Sequence, residues 1–237
     1  MRIDKLLAHA GYGTRKEVRQ LIKTGAVTVD EKRVVKNNMH VNPSKEEIVV
    51  NGEIVTYEKY VYLMLHKPQG YISATVDDIE RTVIDLVPPE YDHYPLAPVG
   101  RLDKDTEGLL LLTNDGKVNH ALTSPKRNVV KTYVAIVDGL VTEEHIAIFA
   151  SGVILDDGYK TKEATLEIIK SGAQSEVMIS ITEGKYHQVK RMFKTIGMQV
   201  LYLKRIRMGE LQLDESLRPG EIRLVTEDEK RYLLSLK

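Results

Sequence analysis

No cysteine occurs anywhere in the 237 residues. That removes disulfides and thiolate metal ligation, and agrees with a reducing compartment such as the cytoplasm. Net charge is absent too, since Lys+Arg and Asp+Glu are each 34. Any nucleic-acid surface must therefore come from local clustering of charge rather than from the balance of the whole chain. No apolar run approaches the ~20 residues that span a bilayer, and the opening MRIDKLLAHAGYG lacks a signal-peptide core. Internal repeats and low-complexity tracts are missing. So are a phosphate-cradling glycine loop and a dinucleotide fingerprint. What remains is a soluble chain long enough for one large domain, or for a small one and a medium one.

The most informative stretch is VGRLDKDTEGLLLLTNDG, from Val99 to Gly116. A charged loop, Gly100 to Gly108, runs straight into Leu109, Leu110, Leu111 and Leu112, the pattern of a strand buried on both faces. Asn114, Asp115 and Gly116 then supply turn chemistry. Ionised groups at the edge of a core are costly unless paired, and this loop places Arg101 beside Asp103, Asp105 and Glu107. Three readings compete: a solvated turn, the start of a calcium loop, or a catalytic carboxylate with Arg101 as its local partner. Calcium fails on spacing, because Asn114 stands where an EF-hand loop needs a bidentate glutamate. The stretch resembles the signature of the RsuA-type pseudouridine synthases, G-R-L-D-x-D-T-x-G-L-L-L-L-T-N-D-G, whose catalytic aspartate corresponds to Asp103.

The N-terminal region reads as two helices and short strands. Ile3, Leu6, Leu7 and Ala10 recur at helical spacing. Thr14 and Glu17 form a capping box for a second helix, with Val18, Leu21 and Ile22 inward and Gly25 at its end. Ala26–Val29 alternates as a strand, and Asn51-Gly52 marks a hairpin between Val49-Val50 and Ile54-Val55. Residues 1–36 hold nine basic residues against four acidic ones. Arg15, Arg19 and Lys23, with Lys16 beside them, form one stripe on the second helix. Such a stripe is often just a solvated face; Arg2, Lys5 and these four residues are also the footprint of a phosphate-contacting surface. A helix-turn-helix that reads DNA is a further possibility. From Asp4 to Asp30, however, the pattern resembles the small RNA-binding fold named after ribosomal small-subunit protein four, which RsuA-type synthases carry at their N-terminus. The expected organisation is therefore a small RNA-binding domain over 1–58 and a second domain over 61–237, joined near Thr56–Tyr60.

In the second domain, Tyr62–Leu65 reads as a buried strand leading into Lys67-Pro68-Gln69-Gly70 and Ser73, which resemble the first motif of that family. Val87-Pro88-Pro89, Pro95 and Pro98 suggest an extended approach to the charged loop. Asp115–Leu122 reads as a short helix, and Lys131–Val137 alternates as a strand. Tyr133 on that strand is on general grounds a core tyrosine; the family's K-x-Y motif instead implies a ring that packs against the target base. Thr142, Glu143 and Glu144 open a helix ending at Ser151-Gly152, followed by a hairpin over Lys162–Lys170 and Ser175–Ile181.

Lys185 to Arg207 is the most basic stretch. It holds Lys185, Lys190, Arg191, Lys194, Lys204, Arg205 and Arg207, and no acid. Val189, Met192, Phe193 and Ile196 define a buried helical stripe, which leaves Lys190, Arg191 and Lys194 off it. RNA phosphates explain this excess better than solvation does. Glu183–Met192, EGKYHQVKRM, resembles the family motif that brings a basic residue to the aspartate. By register this is Lys190, with Arg191 the neighbouring alternative, and it adds His187 and Gln188 to the RNA-facing set. The Lys-Tyr-His-Gln wording is closer to the 16S branch than to the large-subunit branches.

The resemblance implies an α+β chain, the small RNA-binding domain being followed by a mixed, mainly antiparallel-sheet catalytic domain. The implied activity is conversion of a specific uridine of 16S rRNA, by family analogy uridine 516, to pseudouridine. Asp103 would be the catalytic carboxylate, Lys190 or Arg191 its cation and Tyr133 the base-stacking ring, while Arg101 would fill the gap left by the base or hold a phosphate. No cofactor is implied, because nothing is oxidised and no group is imported. The implied partner is 16S rRNA, free or in an assembling small subunit, with the protein a cytoplasmic monomer free of membranes. A large-subunit synthase and a non-catalytic rRNA-binding assembly factor are the competing readings.

Overall fold

The computed structural model describes residues 1–237, and its internal contacts divide it into two units. The first comprises Met1–Val61 with Pro88–Pro95, the second Tyr62–Val87 with Leu96–Lys237.

In the first unit, helices α1 (Ile3–His9) and α2 (Arg15–Thr24) precede four short strands, β1 (Val27–Val29), β2 (Lys32–Arg33), β3 (Ile48–Val50) and β4 (Glu53–Ile54). The strands form an antiparallel sheet in the order β2-β1-β3-β4. Local sequence explains the boundaries. Thr14 and Glu17 close a reciprocal capping box at the start of α2, and Gly25 ends the helix at φ 82°. Asn51 and Gly52, at φ 52° and 86°, turn β3 into β4 with both central residues left-handed. Ile3, Leu6, Leu7, Val18 and Ile22 bury their helix faces against Val27, Ile48 and Val50. Asp4 is fully buried beside this core. Burial alone would raise its pKa, but Arg2 grips both carboxylate oxygens, at 3.0 and 2.7 Å, and the net effect is to lower it.

The proline-rich approach is extended only in part: Val87 and Pro88 are extended and Pro98 lies in a short strand, Ala97–Pro98, but turns interrupt the path. Val83–Leu86 and Pro89–Tyr91 are 3-10 turns, and Pro88–Pro95 belongs to the first unit, where His93 packs against Gly11. Proline's fixed φ suits the first turn of a helix as well as it suits extended chain.

The second unit is built on one mixed sheet. Its strands are β5 (Tyr62–Lys67), β6 (Ala97–Pro98), β7 (Glu107–Thr113), β8 (Lys131–Asp138), β9 (Thr165–Lys170), β10 (Gln174–Ile181), β11 (Gln199–Met208), β12 (Leu211–Gln212) and β13 (Ile222–Leu224). The order is β13-β5-β7-β11-β8-β10-β9, with β6 beside β7 and β12 beside β11. Every pairing is antiparallel except β7 with β11. Helices α3 (Gly116–Thr123), α4 (Glu143–Ala150), α5 (Gln188–Thr195) and α6 (Glu227–Ser235) complete the unit. All six residues of β5 are buried, as are Gly108–Thr113 of β7, so the leucine run is the centre of the core. No helix is long and apolar enough to cross a membrane.

The parallel junction depends on one glycine. Gly108 has φ 112°, and a Cβ there would stand 2.2 Å from the carbonyl oxygen of Arg205. Only glycine lets β11 approach β7 at the point where the charged loop enters the sheet.

Candidate active site

The loop Val99–Thr106 crosses from β6 to β7 and is held from beneath by β5 and the chain after it. Lys67, the last residue of β5, has no exposed surface, and its ammonium donates to the carbonyl oxygens of Thr106 (2.8 Å), Asp103 (3.0 Å) and Pro68 (3.1 Å). Burial pushes its pKa down to about 8, against the opposing pull of Asp103, Asp105 and Glu107. Gly70 N–H donates to Lys104 O at 2.8 Å. Ser73 Oγ meets both the N–H and the C=O of Leu102, at 3.0 and 2.9 Å. The backbone of the aspartate loop is therefore fixed on both sides of Asp103.

The Asp103 side chain points away from these supports, into a cavity of about 240 Å3 that Arg101, Thr106, Tyr133, His187 and Lys190 also line. Lys190 Nζ lies 3.1 Å from Asp103 Oδ2 and 2.5 Å from Asp105 Oδ1. His187 Nε2 is 3.5 Å from Asp103 Oδ1. Burial opposes the charges on Lys190 and Asp105, but their mutual bond prevails, raising the lysine pKa and lowering that of Asp105. Tyr133 is buried on β8, opposite Arg205 of β11 and Ile179 of β10, and its side chain forms part of the cavity wall.

Of the expected catalytic residues, Asp103, Tyr133 and Lys190 come together and Arg191 does not. The Arg191 guanidinium binds Asp156 and lies 2.7 Å from Asp157 Oδ2, and these carboxylates raise its pKa. Adjacent residues on a helix point about 100° apart, so only one of the two can face the aspartate. Arg101 is exposed at the cavity rim; the Asp103 carboxylate is met by the Lys190 ammonium and the His187 imidazole instead. The calcium reading also fails on geometry. Asp105 turns to Lys190, while Glu107 accepts from or shares a proton with His66 Nε2 at 2.9 Å.

Two members of the expected RNA-facing set are interior. Arg205 is 2% exposed and donates from Nε to Leu109 O at 2.9 Å, a brace between β11 and β7. Gln188 is buried, donating to Glu183 Oε1 (2.8 Å) and accepting from Lys185 N–H (2.9 Å). Alternation along β11 turns Arg205 inward beside Leu203, and a register shift between Arg205 and Arg207 returns Arg207 to the surface. Lys185, Lys194 and Arg207 are exposed and Lys204 is half-buried, 4.0 Å from Glu107. Lys5, Arg15, Lys16, Arg19 and Lys23 are exposed on the first unit, whereas Arg2 is half-buried and tied to Asp4. Lys67 and Ser73 are the supports that sequence reasoning left unassigned. A lysine ending an otherwise apolar strand was the available signal.

The chain is similar to known proteins along nearly its whole length. The family described as RNA pseudouridylate synthase matches residues 61–195, and the S4 domain matches residues 1–48. The chain belongs to the RsuA-type pseudouridine synthases. It is 50% identical over 234 residues to an uncharacterised RNA pseudouridine synthase of Bacillus subtilis, covering 98% of each chain. It is 40% identical over 230 residues to ribosomal small subunit pseudouridine synthase A of Vibrio cholerae, covering 97% of each. Ribosomal large subunit pseudouridine synthase B of Bacillus subtilis is also 40% identical, over 240 residues, with 99% of this chain and 96% of that protein covered. A crystal structure of a pseudouridylate synthase is similar with TM-score 0.67 and 37% identity, covering 98% of this chain and 99% of that one. The synthase is thus an RNA isomerase with an N-terminal S4 domain, and every residue lining the Asp103 cavity except Leu203 lies within the matched region.

Proposed function

We propose that the enzyme converts a uridine of 16S rRNA, by family analogy uridine 516, to pseudouridine, with Asp103 as the catalytic carboxylate. The observation that carries the assignment is the single cavity in which the Asp103 carboxylate, paired with Lys190, stands beside the buried ring of Tyr133. The reaction breaks the bond between ribose C1′ and uracil N1, turns the base and forms a C1′–C5 bond. The C5 hydrogen leaves as a proton and N1 takes one up, so nothing is oxidised and no group is imported. One ionised carboxylate can serve as nucleophile at C1′ or as base toward the sugar. Lys190 holds the carboxylate through its ammonium at 3.1 Å, Tyr133 stacks on the base and assists the proton at C5, and Arg101 at the rim holds a phosphate or fills the gap left by the base.

The target nucleotide must leave its helix to enter a cavity of this size. The exposed cations of the first unit, Lys5, Arg15, Lys16, Arg19 and Lys23, supply phosphate contacts that orient the RNA. The Lys185–Gln188 wording and the small-subunit relative support 16S RNA, free or in an assembling subunit. The equal likeness to a large-subunit synthase favours 23S RNA as the second reading.

Tritium release from carbon-5-labelled 16S and 23S transcripts tests both. Release from 16S alone, abolished by Asp103→Asn, is expected. Release from 23S alone keeps the chemistry and overturns the substrate. Binding without release on either RNA, or on partly assembled subunits, leaves an RNA-binding assembly factor.

A further inference from the structure

A second cavity, of about 1000 Å3, adjoins the first and shares Tyr186, His187 and Lys190 with it. The shared wall carries an aromatic stack. The Tyr186 ring lies over the His187 imidazole at 3.8 Å between centroids and 17° between planes, and Tyr186 is 74% exposed. Isolated exposed aromatics are ordinary, but this one is positioned. His187 holds φ 49°, a left-handed backbone that L-residues rarely adopt. Arg191 donates to the Tyr186 carbonyl at 3.4 Å while anchored on Asp156 and Asp157. On its other side, His187 Nε2 reaches Asp103 Oδ1 at 3.5 Å. The ring of Tyr186 is therefore one imidazole away from the proposed catalytic carboxylate, and its surroundings fix its direction.

The charge of the second cavity decides what it suits. Asp105, Asp156 and Asp157 face Lys190, Arg191 and Lys194, three acids and three bases. Arg191 and Lys190 are already paired with these acids. A phosphate would find no unopposed cluster there. A neutral planar base finds an aromatic face, with carboxylate oxygens at the rim to accept from its amino group, as aspartate accepts from cytosine N4.

We infer that Tyr186, stacked on His187, is the platform for the nucleotide next to the target uridine, whose amino-bearing base occupies the second cavity while the uridine occupies the first. This deepens the reading of Asp103 as the catalytic residue and rests on it for the place of the uridine. Tyr186 is a positioning residue: it orders the strand on either side of the flipped nucleotide and takes no part in bond making.

The test uses 16S and 23S rRNA fragments with 2-aminopurine, an amino-bearing fluorescent base, placed 5′ or 3′ of the uridine in separate RNAs. Stacking on Tyr186 quenches the probe at one of the two positions on binding the unsubstituted protein. Tyr186→Ala and Tyr186→Leu lose the quenching and raise KM for tritium release roughly tenfold or more, with kcat little changed, and Tyr186→Phe restores both. An abasic residue at the quenched position removes the difference between the unsubstituted protein and Tyr186→Ala. Absence of quenching at both positions, or equal quenching and KM in Tyr186→Ala, overturns the platform. A fall in kcat alone does so too. Quenching that depends on Tyr186 without tritium release keeps the platform and removes the catalytic reading of Asp103, so the two failures are distinct.

Discussion

Lys67 Nζ lies 3.0 Å from the carbonyl oxygen of Asp103, while the carboxylate of the same residue meets Lys190 on the opposite side. One buried cation thus fixes the aspartate's backbone and a second, partly open one engages its side chain. Lys67→Met would leave the carbonyls of Asp103 and Thr106 without their donor, and an orphaned buried acceptor costs about 1–3 kcal/mol. Denaturant unfolding should show a loss of about that size or larger, together with reduced kcat. A variant with unsubstituted stability and turnover removes Lys67 as a support of the loop.

The pH dependence of that support has a definite sign. Burial lowers the Lys67 pKa to about 8 in the folded chain, against the ordinary lysine value of 10.5. Between these values the unfolded chain binds more protons than the folded one, so stability rises with pH. Below about pH 8 the lysine is charged in both states and its contribution no longer varies. The stability difference between the native chain and Lys67→Met should therefore grow in favour of the native chain from pH 8 to 10.5. A flat difference contradicts the lowered pKa.

Tyr133 separates stacking from proton transfer. Tyr133→Phe keeps the ring and removes the hydroxyl, so KM should hold while kcat falls by about 10²-fold, the lower range for a lost general acid or base. Tyr133→Leu removes both functions and should raise KM as well. Full kcat in Tyr133→Phe assigns the tyrosine to stacking alone.

Much of this arrangement is legible in the sequence. The Thr14–Glu17 box, Gly25, the Asn51-Gly52 turn and the Leu109–Leu112 run all act through neighbouring backbone, and each formed the element expected of it. The aspartate loop stands out because charge and core meet there in one short stretch, but its catalytic reading rests on the resemblance to the RsuA-type signature. Arg205 looks RNA-facing in the sequence because its neighbours Lys204 and Arg207 advertise a basic surface. It shares an inward face with Leu203, which alternation along the strand did signal. Gln188 sits in a motif that looks RNA-facing, yet it braces Glu183. The assignment of Pro88–Pro95 to the first unit depends on packing between residues as distant as Gly11 and His93, and no local pattern encodes that.

Gly108 should tolerate no side chain. An alanine Cβ would meet the Arg205 carbonyl at 2.2 Å, at a φ of 112° that L-residues avoid. Backbone oxygen cannot swing aside as a side chain can, so Gly108→Ala should cost about 3 kcal/mol or more through strain and overpacking. Thermal unfolding measures it directly. Because β7 carries the aspartate loop, the surviving folded fraction should also lose turnover. An unchanged melting temperature would mean that β7 and β11 part more readily than this contact implies.

Salt dependence distinguishes cations that face RNA from those that only look as though they do. Arg15, Lys16 and Lys23 are exposed on α2, whereas Arg205 is 2% exposed and bonded to Leu109 O. Each phosphate contact on single-stranded RNA contributes about 0.7 to the slope of log K against log salt concentration. Replacing Arg15, Lys16 and Lys23 by alanine should flatten that slope by about 2 if all three touch phosphate, and leave stability nearly unchanged. Arg205→Met should do the reverse, lowering stability with the slope intact, because its charge never reaches the solvent interface where counterions are released. A slope that responds to Arg205 and not to α2 would move the RNA path from the first unit to the β11 face of the second.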